Sequence, residues 1–362
     1  MLPTMAAIAV SAGAVVALYA VAYTSTSVVT RSTSADNMVV LARHSQTDLN
    51  SVVPLENLGA IKAAHGVVQS TSAPVVSAEY VGTIWLKDAE GGALKVARVR
   101  GIDPMAWQIH SRVRLASGRF PERGEGGVVV GRAMLNRFVD LTEHGVLHVG
   151  RHDWPVLGVL ESGDAFESEI WCDRTAAMAE FHQDAVSAVF ARVDSPQGGA
   201  EFAADIGRIK GLEAISEPEL AERRMTWTGM DTHVWILRML SLLLAAGAIV
   251  ACLNALHGSL QSRLGEFATL RAIGYPRGRV LWLALQESAV ISLGAAVMGL
   301  PLSLAVEGRT FLFGQSLFYQ AHVDAGAIAV GLMMIILVAL LSGVGAAAQV
   351  ARMNVLATLR LG

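Results

Sequence analysis

The chain has 362 residues, 53% of them hydrophobic and 16% charged, with a formal net charge of −3. That composition is too apolar for an ordinary soluble protein, and no basic patch argues for nucleic acid as a partner. Charge is segregated: 20 of the 28 Lys and Arg and 27 of the 31 Asp and Glu fall between Arg31 and His233, so a water-facing block stands between apolar ends.

Residues 1–30 hold the first expected span. Met5 to Tyr23 is free of charge and close to the ~20 residues that a helix needs to cross hydrocarbon. A cleavable signal peptide competes, since Ala20-Val21-Ala22 resembles a cleavage site. No Lys or Arg precedes the run, which favours a retained helix.

Residues 31–218 alternate short strand and helix signals. Leu55 to Ala64 reads as a helix. Val75 to Trp85 and Leu94 to Gly101 read as strands around an Asp-Ala-Glu-Gly-Gly turn, followed by strands at Gly127 to Gly131, Val146 to Leu160 and Ala185 to Val193, then a helix through Ile209. The expectation is an α+β domain of two subdomains, one built from both ends of the block and one inserted at about residues 104–181. Cys172 lies in this block and Cys252 in an apolar run, so the two cysteines face different compartments and imply no disulfide.

Residues 219–256 read as a helix from Glu219 to His233 that runs on into a second span as a rigid stalk. Further apolar runs at 280–305 and 326–347 are each long enough to cross. Arg263, Arg271, Arg277 and Arg279 sit in the 257–279 loop, and Arg352 and Arg360 in the tail that closes the 326–362 segment. The positive-inside rule makes both cytoplasmic and puts the 306–325 loop, with only Arg309, outside together with the large domain. The expected fold class is a four-span α-helical bundle, with both termini inside and a large α+β domain inserted between the first and second spans.

The 257–279 loop is the most informative stretch. Leu260, Leu264, Phe267 and Ala268 recur at helical spacing, with Arg263 and Glu266 on another side, which predicts a short amphipathic helix stopped by Gly274 before Pro276. Such a helix could equally serve as a plain surface anchor. The wording of Gly265-Glu-Phe-Ala-Thr-Leu-Arg-Ala-Ile-Gly-Tyr275 resembles the coupling motif of the MacB/FtsX/LolC permease family, with Gly265 and Phe267 departing from the usual order. Asn254, in the second span, matches an Asn often seen there. Gly101-Ile-Asp-Pro104, Ser117-Gly-Arg-Phe120, Val128-Val-Val-Gly131 and Trp154-Pro-Val-Leu-Gly-Val-Leu160 are similar to phrases of that family's periplasmic core domain, and Arg352 to Arg360 to its ending.

The resemblance implies a bacterial inner-membrane permease of an ATP-binding-cassette transporter. Its coupling helix, carried here by Arg263, Glu266, Phe267, Leu270, Arg271, Ile273, Gly274 and Tyr275, would dock on a cytoplasmic ATPase. No G-x-x-x-x-G-K-[ST] loop occurs in the sequence, so ATP and Mg are expected in two copies of a separate ATPase subunit and no cofactor in this chain. Two ATPases imply a second permease copy, identical or paralogous. Ala9, Gly13 and Ala17 in the first span and Gly247 and Ala251 in the second would allow close helix packing with it. A periplasmic adaptor and an outer-membrane channel are further partners that the family suggests.

Other signals are weaker. His144, His148 and His152 are four apart but lie in strand and turn sequence, so surface histidines are expected over a metal site. Glu161, Asp164, Glu167 and Glu169 read as a solvated loop without EF-hand spacing. Glu287 would lie in the third span, where a carboxylate is costly; it serves the mechanism or caps a contact with Gln286 or Asn254. No G-x-S-x-G, H-E-x-x-H or Cys-His pattern marks a catalytic site, and none is expected.

The leading expectation is export or extraction of a lipoprotein, lipid, peptide or amphiphilic small molecule, driven by motion passed from the ATPase to the outer domain. A regulator of the FtsX kind, activating a periplasmic hydrolase without transport, is the alternative. A membrane-tethered periplasmic enzyme or receptor is a third reading.

Overall fold

A computed structural model describes residues 2–71, 73–89, 92–150, 152–262, 303–313, 317–321 and 325–333, with scattered positions between 273 and 301 and at 323, 336 and 337. The chain divides into two units: residues 1–24, 233–309 and 321–362 form one, and residues 25–232 and 310–320 the other.

In the first unit, helix α1 (Leu2–Arg31) and most of helix α7 (Met230–Ser262) are apolar along their length. Among the described residues, Ala9–Arg31 and Met230–Ala251 are long and apolar enough to cross a membrane. Described positions in 278–303 and 325–337 are also helical, while the rest of the third and fourth expected spans lies outside the described residues. A Cβ on Gly331 would come within 2.2 Å of Val16 Cγ2, so the helix over residues 325–333 meets α1 where only glycine fits. Ala9 and Gly13 are already buried within the single chain, whereas Gly247 is exposed and Ala251 half-buried.

The second unit is built on one ten-stranded sheet. Its strands are β1 (Asn37–Ala42), β3 (Val76–Lys87), β4 (Leu94–Ile102), β5 (Arg114–Gly118), β6 (Val128–Gly131), β7 (Val146–Val149), β8 (His152–Glu161), β9 (Glu169–Asp173), β11 (Ala188–Arg192) and β12 (Leu212–Ser216). The order is β12-β1-β11-β3-β4-β9-β6-β8-β5, with β7 on β8. β4 with β9 and β6 with β8 are parallel, and the other pairs are antiparallel. Two short strands, β2 (Val53–Pro54) and β10 (Ala185–Val186), pair beside it.

β1 shows why the sheet is covered on both faces. Val39, Val40 and Leu41 are all fully buried, the continuous apolar run of a central strand rather than an alternation. Val40 packs toward Ile61 of helix α2 (Leu58–Lys62) and toward Phe202 and Ile206 of helix α5 (Pro196–Gly207). Val39 and Leu41 pack with Ile109 of helix α3 (Ala106–Ile109) and Leu220 of helix α6 (Glu217–Thr228). A second core collects Val99, Val130, Phe138, Leu147, Trp154, Ile170 and Ala177, the last from helix α4 (Arg174–Glu180).

Three expectations change. The two halves expected as subdomains share one sheet, and they meet inside β3 rather than at Pro104: Val76 to Glu79 pair with β11, and Tyr80 to Lys87 with β4. The stalk is not one helix, because α6 ends at Gly229 in the left-handed region, φ +74°, and α7 starts at Met230; a left-handed glycine is the standard helix stop. The loop between the third and fourth expected spans folds as a hairpin, β13 (Thr310–Phe313) and β14 (Leu317–Gln320). It belongs to the sheet-bearing unit, and its Phe318 is buried in that unit's second core.

Candidate functional site

Most of the expected coupling residues, Arg263, Glu266, Phe267, Leu270, Arg271 and Tyr275, lie outside the described residues, as does Glu287. Ile273 and Gly274 form a turn, Gly274 at φ +99°, and the helix expected before it lies outside the described residues. Asn254 is exposed on α7.

What the structure brings together is a buried ionic cluster at the root of α6, which the sequence reading missed. Arg98 and Arg100 sit two apart on β4, so they share one face of the sheet. Arg100 is fully buried. Its Nε donates to Glu169 Oε2 at 2.6 Å and its Nη2 to Glu169 Oε1 at 2.8 Å, a two-point fork, while Nη1 donates to Glu79 Oε2 at 2.7 Å. The guanidinium also stands 5.3 Å from the centre of the Phe166 ring. Asp48, fully buried, accepts from Arg98 Nη2 and, at 3.0 Å, from Arg224 Nη2.

His110 completes the cluster. Its Nε2 is 2.9 Å from Glu79 Oε1 and its Nδ1 3.9 Å from Glu217 Oε1, with Phe166, Trp171 and Phe190 ringed around the imidazole. Glu217 Oε2 accepts from the Ser34 N–H at 2.8 Å and from Asn37 Nδ2 at 2.9 Å.

Burial alone would raise the carboxylates, yet the charges win at three of them. Arg224, Arg98 and Arg100 hold Asp48 far below its usual range, His110 and Arg100 lower Glu79, and Arg100 with Arg98 lowers Glu169. His110 is raised against burial by Glu79 and Glu217. Glu217 is the exception: burial outweighs His110, Ser34 and Asn37, and its proton is held more tightly than usual. Buried ion pairs add little net stability over an apolar core, but they fix geometry, because a displaced partner leaves a bare charge.

That geometry fastens α6. Its start is specified by Ser216, whose Oγ accepts from the Glu219 N–H at 3.3 Å, by Pro218 in the first turn, and by Glu217 and Glu219 at the positive end of the helix. Glu217 and Arg224 are seven residues, or two turns, apart and so share a face. Leu220 and Ala221 are buried between them. The helix is thus held at both ends by charge and in the middle by apolar packing, one residue before the chain enters the α7 span. The end of α1 is tied in beside it, through the Ser34 N–H on Glu217 and the Arg31 carbonyl, which accepts from Arg112 Nη1 at 3.0 Å.

The acidic run expected as a solvated loop is corrected at two positions. Glu169 and Asp164 are buried; Asp164 caps a short turn by accepting from the Phe166 N–H at 3.0 Å. The strand reading of the histidines holds: His148 lies on β7 against Asp153 at 2.6 Å, and His152 on β8 against Glu180 at 2.5 Å. Arg98 and Arg100, spaced two apart among the apolar residues Val96, Ala97, Val99 and Ile102, were the legible sign of the cluster, since two guanidinium groups on one buried face demand carboxylates.

Residues 1–209 match the MacB-like periplasmic core domain family, and residues 238–355 match the FtsX-like permease C-terminal family. A sheet-bearing domain between apolar helices, fastened to the helix that leads into one of them, is the build of a membrane permease with a periplasmic domain. The chain belongs to the MacB/FtsX family, the membrane components of ABC transporters, and this membership implies a cytoplasmic ABC ATPase as partner. Among solved structures, the periplasmic region of MacB from Actinobacillus actinomycetemcomitans is similar at a TM-score of 0.40 and 12% identity, over 53% of this chain and 94% of that one. The extracellular domain of the noncanonic ABC-type transporter YknZ from Gram-positive bacteria is similar at 0.38 and 16%, over 50% of this chain and 100% of that one. No curated protein sequence matches the chain.

Proposed function

We propose that this chain is a four-span permease subunit that relays ATP-driven motion from two cytoplasmic ATPase subunits to its periplasmic domain, in order to export or extract a substrate. The carrying observation is the anchorage of α6: Glu217 and Arg224 bind the helix into the buried cluster, and α7 follows after one glycine. Displacement of α7 along its axis would therefore reach the sheet through charge pairs that cannot slip without exposing an unpaired ion.

The hairpin supports the same topology. Thr310 to Gln320 joins the third and fourth expected spans and packs in the domain's core, so it shares the domain's side of the membrane, as the positive-inside rule requires. The 257–279 loop then faces the cytoplasm, where Glu266 and Arg271 would meet the ATPase. A second permease copy, packing through Gly247 and Ala251 among other positions, matches the two-fold ATPase.

Co-purification with the ATPase encoded beside it tests this. The expected result is vanadate-sensitive ATP hydrolysis that depends on the permease and drops in Glu266→Ala and Arg271→Ala. Failure of the wild-type chain to associate with any ATPase overturns the proposal.

A further inference from the structure

A cavity of about 480 Å³ opens in the periplasmic unit beside the ionic cluster, within the roughly 300–1,000 Å³ usual for small-ligand sites. Its apolar walls include Val29 from the last turns of α1, Met225 and Met230 from the α6–α7 junction, and Phe313 and Leu317 from the closed end of the hairpin. These walls are apolar, and the two methionines can reshape around a flexible chain. The charged lining residues are Arg98, Arg224 and Glu169.

Their hydrogen-bonding capacity is lopsided. Glu169 already holds Arg100 through both oxygens, at 2.6 and 2.8 Å. Arg98 and Arg224 each have five donor hydrogens, yet among the described residues each bonds through Nη2 alone, to Asp48. The Nε atoms of both are buried out of reach of the cavity, Arg98 Nε at an ion-pair distance of 3.4 Å from Glu169, so the donors left for a cavity ligand are those on Nη1. The acceptors are spent and the donors are not, so the complement of this cavity is an oxyanion on an apolar chain.

We propose that the cavity binds a single-chain acidic amphiphile, with its carboxylate or phosphate on Arg98 and Arg224 and its tail between Met225, Met230, Phe313 and Leu317. The ends of two candidate spans line the site, so the ligand enters at the membrane border. This binding stands apart from the ATPase reading, because it is measured on the permease alone.

The test uses the full-length chain in neutral detergent, photolabelled with a diazirine analogue of palmitate or with its methyl ester, and mapped by peptide mass spectrometry. The expected palmitate adducts fall on residues 225–230 and 310–317, about tenfold above the ester, as expected for a charge-assisted hydrogen bond. Arg224→Gln lowers palmitate labelling toward the ester level. Leu317→Glu, on the half-exposed hairpin, lowers it by repulsion without touching the cluster, and both variants are scored only as monodisperse protein that keeps its melting transition. Competition by excess dodecyl phosphate but not by inorganic phosphate shows that head and tail are both read. Adducts confined to residues 9–24 and 233–251, equal labelling by acid and ester, or labelling unchanged in both variants overturns the proposal.

Discussion

Ser168 holds Phe318 by both of its backbone polar groups: its hydroxyl donates to the Phe318 carbonyl and accepts from the Phe318 N–H at 3.1 Å. The two residues are 150 positions apart, and this clasp seats the hairpin on the domain. The Phe318 ring lies edge-on to Phe138 at 5.6 Å, with the Arg137 guanidinium 5.6 Å from its centre.

Phe318→Ala should therefore destabilise the periplasmic unit by about 3–5 kcal/mol, the usual cost of emptying a buried aromatic site. Thermal unfolding of the full chain in detergent reads this as a lowered Tm. Phe311→Ala, on the same hairpin but only half-buried, should shift it much less.

Side-specific labelling checks the topology. Trp85 and Leu312 are exposed at 66% and 39%, so Trp85→Cys and Leu312→Cys should both react with a membrane-impermeant maleimide on intact spheroplasts, and Glu266→Cys only after lysis. Native Cys172 should stay silent, since it is buried and burial pushes its thiol up out of the reactive range. Reaction of Leu312→Cys only after lysis would contradict the seating of the hairpin.

Asp48 is the acceptor for Arg98, Arg224 and, at 3.4 Å, Arg100. Asp48→Asn keeps the shape and removes the charge, leaving the buried guanidinium groups of Arg98 and Arg100 and the half-buried one of Arg224 short of one counter-ion. A loss of about 3–5 kcal/mol is expected. Glu125→Gln is the control: its exposed pair with Arg119, although it brings the carboxyl down to about 2, should change the Tm little.

The cluster also sets a pH dependence with opposite signs on its two sides. His110 binds its proton more tightly folded than unfolded, so its contribution is complete below its ordinary value of 6.5 and is lost as pH rises through the higher folded value. Glu79 is lowered from 4.5, so its contribution is complete above that value and is lost as pH falls. The Tm of the wild-type chain should decline on the alkaline side of 6.5. His110→Gln, which can still bond to Glu79, should start lower and show a flatter alkaline limb.

The sequence made the membrane class, the α+β pattern and most strands legible, because those depend on local hydropathy and on turn residues. β3, β4, β6 and the β7–β8 pair fall close to where alternation and glycine placed them. The hairpin escaped because Thr-Phe-Leu-Phe is short and owes its order to Ser168 and Phe138, both far away in sequence. The ionic cluster escaped for the same reason: Asp48, Glu79, His110, Glu169, Glu217 and Arg224 each look like ordinary solvated residues until the sheet order β11-β3-β4-β9 draws them together. The break at Gly229 could have been read, since a glycine lies between the polar α6 sequence and the apolar α7 sequence, but the helical signal continued on both sides.

The change of partners within β3 has a mechanical meaning. One peptide strand runs unbroken from the half that holds α6 into the half that holds the hairpin. A pull that would separate the halves is carried along covalent bonds, whereas a rung-by-rung opening could occur only at the flanking ladders. Such a plank favours tilting of the periplasmic body as a solid over any gaping between its parts.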